Sequence, residues 1–398
     1  MLPVLTHNSK GSRLILDAHE TSLMGSAPPL AYTFTWMPEK KCSAYAVLGK
    51  GCQVPRVTYV PSFEIVLTRR CAYACGYCNF TNQPSPLPPS HKNLQRQLRL
   101  AVQLGACQVT LSAGEGIEEL PEIHRVSRYY GYSTWFDYLA GVVKGIVEAK
   151  NVLPLVPVLD VGALGFVELQ KMREFLPALR LMLDTADDSL QFQLAHREAP
   201  QKRLAARCRA IETAGQIGIP VITGILVGIG ESPKSWALAA EQVAKLQDKY
   251  QHIQQFSVVP FSPAPRTPME TMPPPTQETY LQACRDVNSI LKGHVRVVAE
   301  VQGRFELVEA LLDLGIEDLG EIRLGDSDRI DTEISSVLQV LADQLGKKGW
   351  QLCPRPTLVN GVVRRRLLSP AVMDLLRRQK VSRARMSLQQ QHRSATAS

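Results

Sequence analysis

The sequence predicts an α/β protein of TIM type, a (β/α)8 barrel with extensions at both chain ends. Three observations carry that expectation. From about residue 61, eight apolar, β-branched runs alternate with helical patterns, the rhythm of βα units on a parallel sheet. The 398-residue chain is 45% hydrophobic and 21% charged, an ordinary globular balance with enough length for one barrel core. Two Pro-rich stretches, 84–89 and 260–275, follow the first and sixth runs, where a barrel sets loops at the carboxyl ends of its strands.

In order, the expected strands are 63–68 (FEIVLT), 107–112, 154–160, 179–184, 220–228, 253–260, 295–300 and 316–324. Helical patterns fall between them at about 91–104, 117–128, 134–149, 165–175, 201–217, 233–249, 276–291 and 304–313, with another at 331–346. Residues 1–56 are irregular and read as an N-terminal extension, 57–350 as the barrel, and 351–398 as a basic C-terminal tail. The tail carries a short helix near 369–380 and is otherwise expected to be mobile.

The net charge is +8. Residues 361–398 hold nine Lys and Arg against the single acid Asp374, which accounts for the whole excess. The body is neutral, which argues against nucleic acid as a partner; the charge run reads as a solvated segment. No apolar run approaches the roughly 18 residues of a membrane span, and the start of the chain predicts no secretion signal. The nine cysteines stand at 42, 52, 71, 75, 78, 107, 208, 284 and 353. An odd, irregular set fits a reducing, cytoplasmic interior with a metal site. Cys107, Cys208, Cys284 and Cys353 read as small core residues.

The informative cysteines are Cys71, Cys75 and Cys78, directly after the first strand in the spacing C-x3-C-x2-C. Thiolates are the usual ligands of iron–sulfur clusters, and a cubane normally takes four. Three leave one iron open to a small molecule. Zinc is the competing reading, with His91 as a distant fourth ligand. Gly76 lets the loop curve tightly. Strand two ends in Ala113-Gly114-Glu115, where small residues admit close backbone approach and Glu115 offers an acceptor for an ammonium group. Strand five carries Gly224, Gly228 and Glu231, without the spacing of a dinucleotide fingerprint or a P-loop. Asp184-Thr185 ends strand four, either facing a ligand or capping the next segment.

The cysteine spacing, with an aromatic residue before the last cysteine, resembles the radical S-adenosylmethionine (SAM) superfamily. The resemblance implies a [4Fe–4S] cluster on Cys71, Cys75 and Cys78. Its open iron binds the amino and carboxylate groups of SAM, and reductive cleavage gives a 5′-deoxyadenosyl radical. It implies that Tyr77 lies near the adenine, that Gly114 and Glu115 hold the SAM amino group, and that Gly224, Gly228 and Glu231 line the adenine pocket. Asp184 is then a candidate contact of the ribose.

Within the superfamily, Ala195-His196-Arg197-Glu198-Ala199-Pro200, Ile219–Glu231 and Phe261–Met269 resemble the CofG-type subunit of 7,8-didemethyl-8-hydroxy-5-deazariboflavin (F0) synthase, over roughly 57–320. Gly315–Glu321 departs from that family's pattern in lacking a Trp and a second Gly, and the basic tail is atypical. The resemblance implies a radical SAM lyase that closes the deazaflavin ring with loss of ammonia. Its implied partners are a CofH-like enzyme that supplies the substrate and a ferredoxin- or flavodoxin-type electron donor. His196 and Arg197 become candidate substrate contacts, with surface helix capping as the competing reading, and Arg266 is a further candidate. Sister enzymes of the CofH, menaquinone-pathway or biotin-synthase type share the cysteine loop, as would a tRNA-binding member.

Overall fold

The computed structural model describes residues 54–83, 85–150, 154–301, 303–358 and 367–382. The N-terminal extension therefore lies almost wholly outside the described residues, as do Cys42, Cys52 and the basic residues at 364–366 and beyond 382.

Eight parallel strands run in the order β7-β6-β5-β4-β3-β2-β1-β8. They are β1 (Arg56–Thr68), β2 (Gln108–Ala113), β3 (Val156–Asp160), β4 (Ala178–Arg180), β5 (Val221–Val227), β6 (Ile253–Pro260), β7 (Val297–Ala299) and β8 (Asp318–Asp326). The seam lies between β7 and β8, which no strand ladder joins among the described residues. Around them stand α1 (His91–Gln103), α2 (Pro121–Tyr129), α3 (Trp135–Glu148), α4 (Phe166–Met172), α5 (Leu204–Ile217), α6 (Lys234–Tyr250), α7 (Gln277–Leu291), α8 (Val308–Asp313) and α9 (Ile334–Lys347). Local chemistry fixes several starts: Ser90, Thr134 and Thr276 each accept a backbone N–H in the first turn of α1, α3 and α7. α5 ends on Gly218 at φ +78°, the left-handed position that favours glycine.

Strand alternation separates two environments. Phe63, Ile65 and Leu67 of β1, Val109 and Leu111 of β2, and Leu179 of β4 belong to the apolar layer under the helices. Their alternates face the barrel interior, where Gln108, Thr110 and Arg180 meet on Glu321 of β8 and Ser112 donates to Glu64. In β8, Gly320 at φ +70° coincides with a register shift against β1. That bulge helps aim Glu321 and Arg323 at the same interior.

The lower end differs from expectation. A ninth strand, β9 (Gln351–Pro354), pairs with the first residues of β1. A helical run at 370–382 then packs beneath the barrel, where Leu358, Leu368 and Val372 cover Val158, Ala178 and Ile222. Gln379 is buried and donates to the carbonyls of Cys107 and Pro154. Residues 351–358 and 367–382 are thus part of the barrel's floor, because their apolar positions have a face to cover. β4 is shorter than expected: past Arg180 the chain continues to Asp184, which only bridges to Ile225. Cys107 and Cys284 are buried and Cys208 is half-buried. Cys353 is buried but disulfide-bonded, which corrects its reading as a simple core thiol. Among the described residues no helix is long and apolar enough to cross a membrane.

Candidate active site

The cysteine loop leaves the carboxyl end of β1 and is tied down on three sides. Beneath it, Ala72 N donates to Glu115 O (2.9 Å), and Cys71 Sγ lies 3.6 Å from the same carbonyl. Gly114 is pressed against the loop so closely that a Cβ there would sit 1.9 Å from Arg70 O and 2.4 Å from Cys71 Cβ. On a second side Gly76 N donates to Ala195 O (2.9 Å) and Ala74 N to Glu198 O (3.2 Å); a Cβ on Gly76 would meet Leu194 O at 2.1 Å. On the third, Met269 N donates to Gly76 O (3.0 Å). The segments 195–200 and 261–269 singled out in the sequence are therefore walls of the cysteine loop.

Cys71, Cys75 and Cys78 are free thiols, with Cys78 exposed and the other two partly so. Burial pushes the Cys75 thiol up to about 11 against the opposing pull of the Lys202 ammonium. Their chemistry fits an iron–sulfur cluster: three soft donors on one short, anchored loop. Among the described residues no three His, Cys, Asp or Glu side chains converge as ligands of one ion. Free thiolates are the usual ligands of such a cluster. Cys71, Cys75 and Cys78 are the residues that would hold it.

Beside the loop, Tyr77 sits on an apolar patch with Leu226, Ile229, Phe261 and Met269. Its hydroxyl lies 3.3 Å from His196 Nε2, the rings edge to face. Burial, reinforced by the Asp184 carboxylate, raises the Tyr77 phenol and keeps it protonated. His196 is fully buried, and burial lowers its pKa to about 4. It is neutral near pH 7 and supports Tyr77 from within, so the surface-capping alternative falls away for it. Arg197, its sequence neighbour, is exposed and does not join it. Arg266 is also exposed; its backbone, at φ +62°, holds Asn82 and Glu270 rather than lining the site.

Asp184 is buried at φ +63° and paired with Lys202. Burial alone would raise its pKa, but Lys202 and then Arg207 outweigh it and lower the carboxyl. Glu115 lies in a fork from Arg207. Two of the motif residues make contacts within the protein itself. The Glu231 carboxylate accepts from Gly228 N, Ile229 N and Trp236 Nε1, each at 2.8 Å, and so closes the turn between β5 and α6. At Gly224 a Cβ would meet Ser257 O of β6 at 2.0 Å, so the missing side chain admits the neighbouring strand. Gly228 takes φ +98° in the same turn, with the Pro275 ring against it.

Several charged residues of the site went unassigned in the sequence. Arg180 pairs with Glu321 and lies 3.9 Å from Asp160; Arg323 pairs with Glu64 (2.6 Å), which also accepts from Ser112. Burial raises Asp160 to about 6, with Arg180 opposing and Glu64 and Glu321 adding to the rise. Glu300 is likewise raised by burial. Their signal was present: a charge within an apolar, β-branched run, as in FEIVLT and LRLMLD, faces a barrel interior more cheaply than a helix layer.

A family model described as the radical SAM superfamily matches residues 65–243. The 7,8-didemethyl-8-hydroxy-5-deazariboflavin synthase of Archaeoglobus fulgidus is 32% identical over 278 residues, 70% of this chain and 82% of the relative. The chain belongs to this radical SAM synthase family. The same-named protein of Methanothermobacter thermautotrophicus is 29% identical over 80% of this chain and 96% of its own length. Among solved structures, the FeFe-hydrogenase maturase HydG from Carboxydothermus hydrogenoformans aligns with TM-score 0.60 and 15% identity, over 84% of this chain and 76% of that one. Methylornithine synthase (PylB) aligns with TM-score 0.53 and 18% identity, over 79% and 86%. At such identities these two share the fold alone. The family implies a [4Fe–4S] cluster and SAM as the cofactors.

Proposed function

We propose that this chain is the ring-closing subunit of F0 synthesis. It converts 5-amino-5-(4-hydroxybenzyl)-6-(D-ribitylimino)-5,6-dihydrouracil to F0 with release of ammonia, as a lyase acting in the cytoplasm. A CofH-like enzyme supplies its substrate, and a ferredoxin- or flavodoxin-type carrier supplies electrons. Cys71, Cys75 and Cys78 hold the cluster, Tyr77 flanks the adenine, and Gly114 and Glu115 serve the SAM amino group. When bound, cluster and SAM supply the one-electron chemistry that takes a hydrogen atom from an unreactive position.

The observation that carries this reading is a free three-cysteine loop set over a polar barrel interior. Glu64, Asp160, Glu300 and Glu321 outnumber Arg180 and Arg323 there. The guanidinium of Arg180 can donate to pyrimidine carbonyls, and the carboxylates can accept from the hydroxyls of a ribityl chain. The walls around the site exclude water and hold the substrate in one pose. His196 keeps Tyr77 in place and moves no proton near pH 7.

Anaerobic reconstitution with iron and sulfide, followed by incubation with SAM, reductant and the CofH product, tests the reading. A fluorescent deazaflavin is expected. An intact cluster that cleaves SAM yet gives no fluorescent product would move the chain to a sister activity. Tight zinc binding with no cluster would remove it from radical chemistry altogether.

A further inference from the structure

The Glu115 carboxylate is held more completely than a loop residue needs for stability. Its Oε1 accepts from Arg207 Nη1 (3.0 Å) and from Ala163 N (3.0 Å), and its Oε2 accepts from Arg207 Nη2 (2.7 Å). A carboxylate offers about four acceptor positions, so one is left, on Oε2. Space for this arrangement comes from Gly162 at φ +83°: a Cβ there would come within 2.3 Å of Glu115 Cγ. The backbone of the same residue supports the cysteine loop through Ala72 N. Residue 115 thus connects the thiolates to whatever its carboxylate holds.

Arg207 reaches this point from the first turn of α5 and is only 1% exposed. Both terminal nitrogens go to Glu115, while its Nε is buried with no partner among the described residues. An unsatisfied buried donor is a cost that folded proteins rarely carry without a functional reason. Here the guanidinium is oriented for the fork and not for its own satisfaction. A fork fixes the plane of a carboxylate as well as its position, which an ammonium group on a flexible stem does not do.

We propose that Arg207 is a positioning residue for SAM: it fixes the Glu115 carboxylate so that its one open lone pair faces the ammonium of the amino-acid moiety. Arg207 itself touches no reacting atom. The inference rests on the SAM reading of the site. Preorganising Glu115 lowers the ordering cost of binding, so the effect belongs in SAM affinity and not in the chemical step.

The test uses the full chain, reconstituted anaerobically, with iron and sulfide content, SAM affinity from the SAM-induced change in the EPR signal of the reduced cluster, and SAM cleavage at saturation. Arg207→Met should load iron like the parent, weaken SAM binding about 10- to 100-fold, and cleave SAM at saturation within about threefold of the parent rate. Arg207→Lys should recover part of the affinity. Glu115→Gln should lose a similar amount, and the double variant no more than either single one, because both act through one contact. Equal SAM affinity in parent and Arg207→Met overturns the proposal, as do losses that add in the double variant. Loss of iron along with SAM binding would make Arg207 a support of the cysteine loop, which also overturns it. A parent protein that loads a cluster but never binds SAM would instead overturn the SAM reading.

Discussion

Each end of the barrel carries a buried carboxylate–guanidinium pair, and the two differ in what they leave open. At the lower end Asp318 accepts from Arg355 Nε (2.6 Å), Arg296 Nη1 (2.9 Å) and Gly320 N (3.0 Å). Arg355 spends its other nitrogens on the carbonyls of Pro356 and Thr357 and on Gln255 Oε1. Each of its three side-chain nitrogens has a partner. At the upper end Glu115 likewise accepts three hydrogen bonds, but the Nε of its partner Arg207 is buried with no partner among the described residues. A guanidinium with every nitrogen partnered holds a fold together; one with an orphan nitrogen, beside three free thiols, suits a site built around a ligand.

That contrast breaks most sharply at the thiols. Replacing any of Cys71, Cys75 or Cys78 by Ala should abolish activity and cluster loading, since each iron left without its thiolate exposes the cluster to loss. Thermal stability of the apoprotein should change little, because none of the three is fully buried. An alanine variant that kept a full complement of iron would show that the ligands lie elsewhere.

At the floor the expected balance is reversed. Arg355→Met takes the nearer of two guanidinium groups from the Asp318 carboxylate, buried at 1% exposure, and leaves it Arg296 and the Gly320 N–H. Removing one partner of a buried pair costs about 3–5 kcal/mol. Urea unfolding should register that loss, while SAM affinity at low temperature stays at the parent value. A fall in SAM affinity with unchanged stability would mean that the two ends are not separate in function.

His252 gives the floor its own pH dependence. It lies at the start of β6, its Nε2–H donating to Ile211 O (3.0 Å), with Nδ1 buried and unpartnered. Protonation would put charge on that orphan nitrogen, so burial lowers its pKa from 6.5 to about 4. The unfolded chain therefore binds the proton first, and stability present above about pH 6.5 is lost as pH falls toward 4. Between pH 7 and pH 5 the loss from this group is about 2 kcal/mol. His252→Gln should flatten the pH slope of urea unfolding by that amount; an unchanged slope would assign the acid sensitivity to other groups.

The same contrast explains what was legible in the sequence. The cysteine loop could be read because its chemistry is local: three thiols in eight residues, after a strand. The eight strands could be read because each outward face is apolar at alternate positions, as Phe63, Ile65 and Leu67 are. The floor was hidden because its basic residues read as solvated. Arg378 instead donates to Val147 O (2.5 Å) and Ala149 O (2.7 Å) at the end of α3, carbonyls that a helix terminus leaves free. The part Glu231 plays in closing the β5–α6 turn was not legible, because spacing marks a conformation and a ligand contact alike. Arg207 and Lys202 were missed as roles because their partners, Glu115 and Asp184, lie 92 and 18 residues away along the chain.

The smallest expected effect concerns selectivity in the interior between the two ends. Four carboxylates against two guanidinium groups suit a ligand that brings hydroxyl donors and oppose one that brings negative charge. A 5′-phosphate ester of the ribityl substrate should therefore bind at least about tenfold more weakly than the free polyol, about 1.4 kcal/mol. Asp160 sets part of that difference. Its pKa of about 6 leaves it mostly ionised at pH 7 and mostly protonated at pH 5, so exclusion of the phosphate ester should relax as pH falls through 6. Asp160→Asn should show the relaxed selectivity at pH 7 and a smaller further change on acidification, the part due to the ester's own second ionisation at about pH 6 remaining. Competition between the two probes at pH 7 and pH 5 reads both effects. If the ester competes equally at pH 7, the carboxylates of the interior serve the barrel wall and not the substrate.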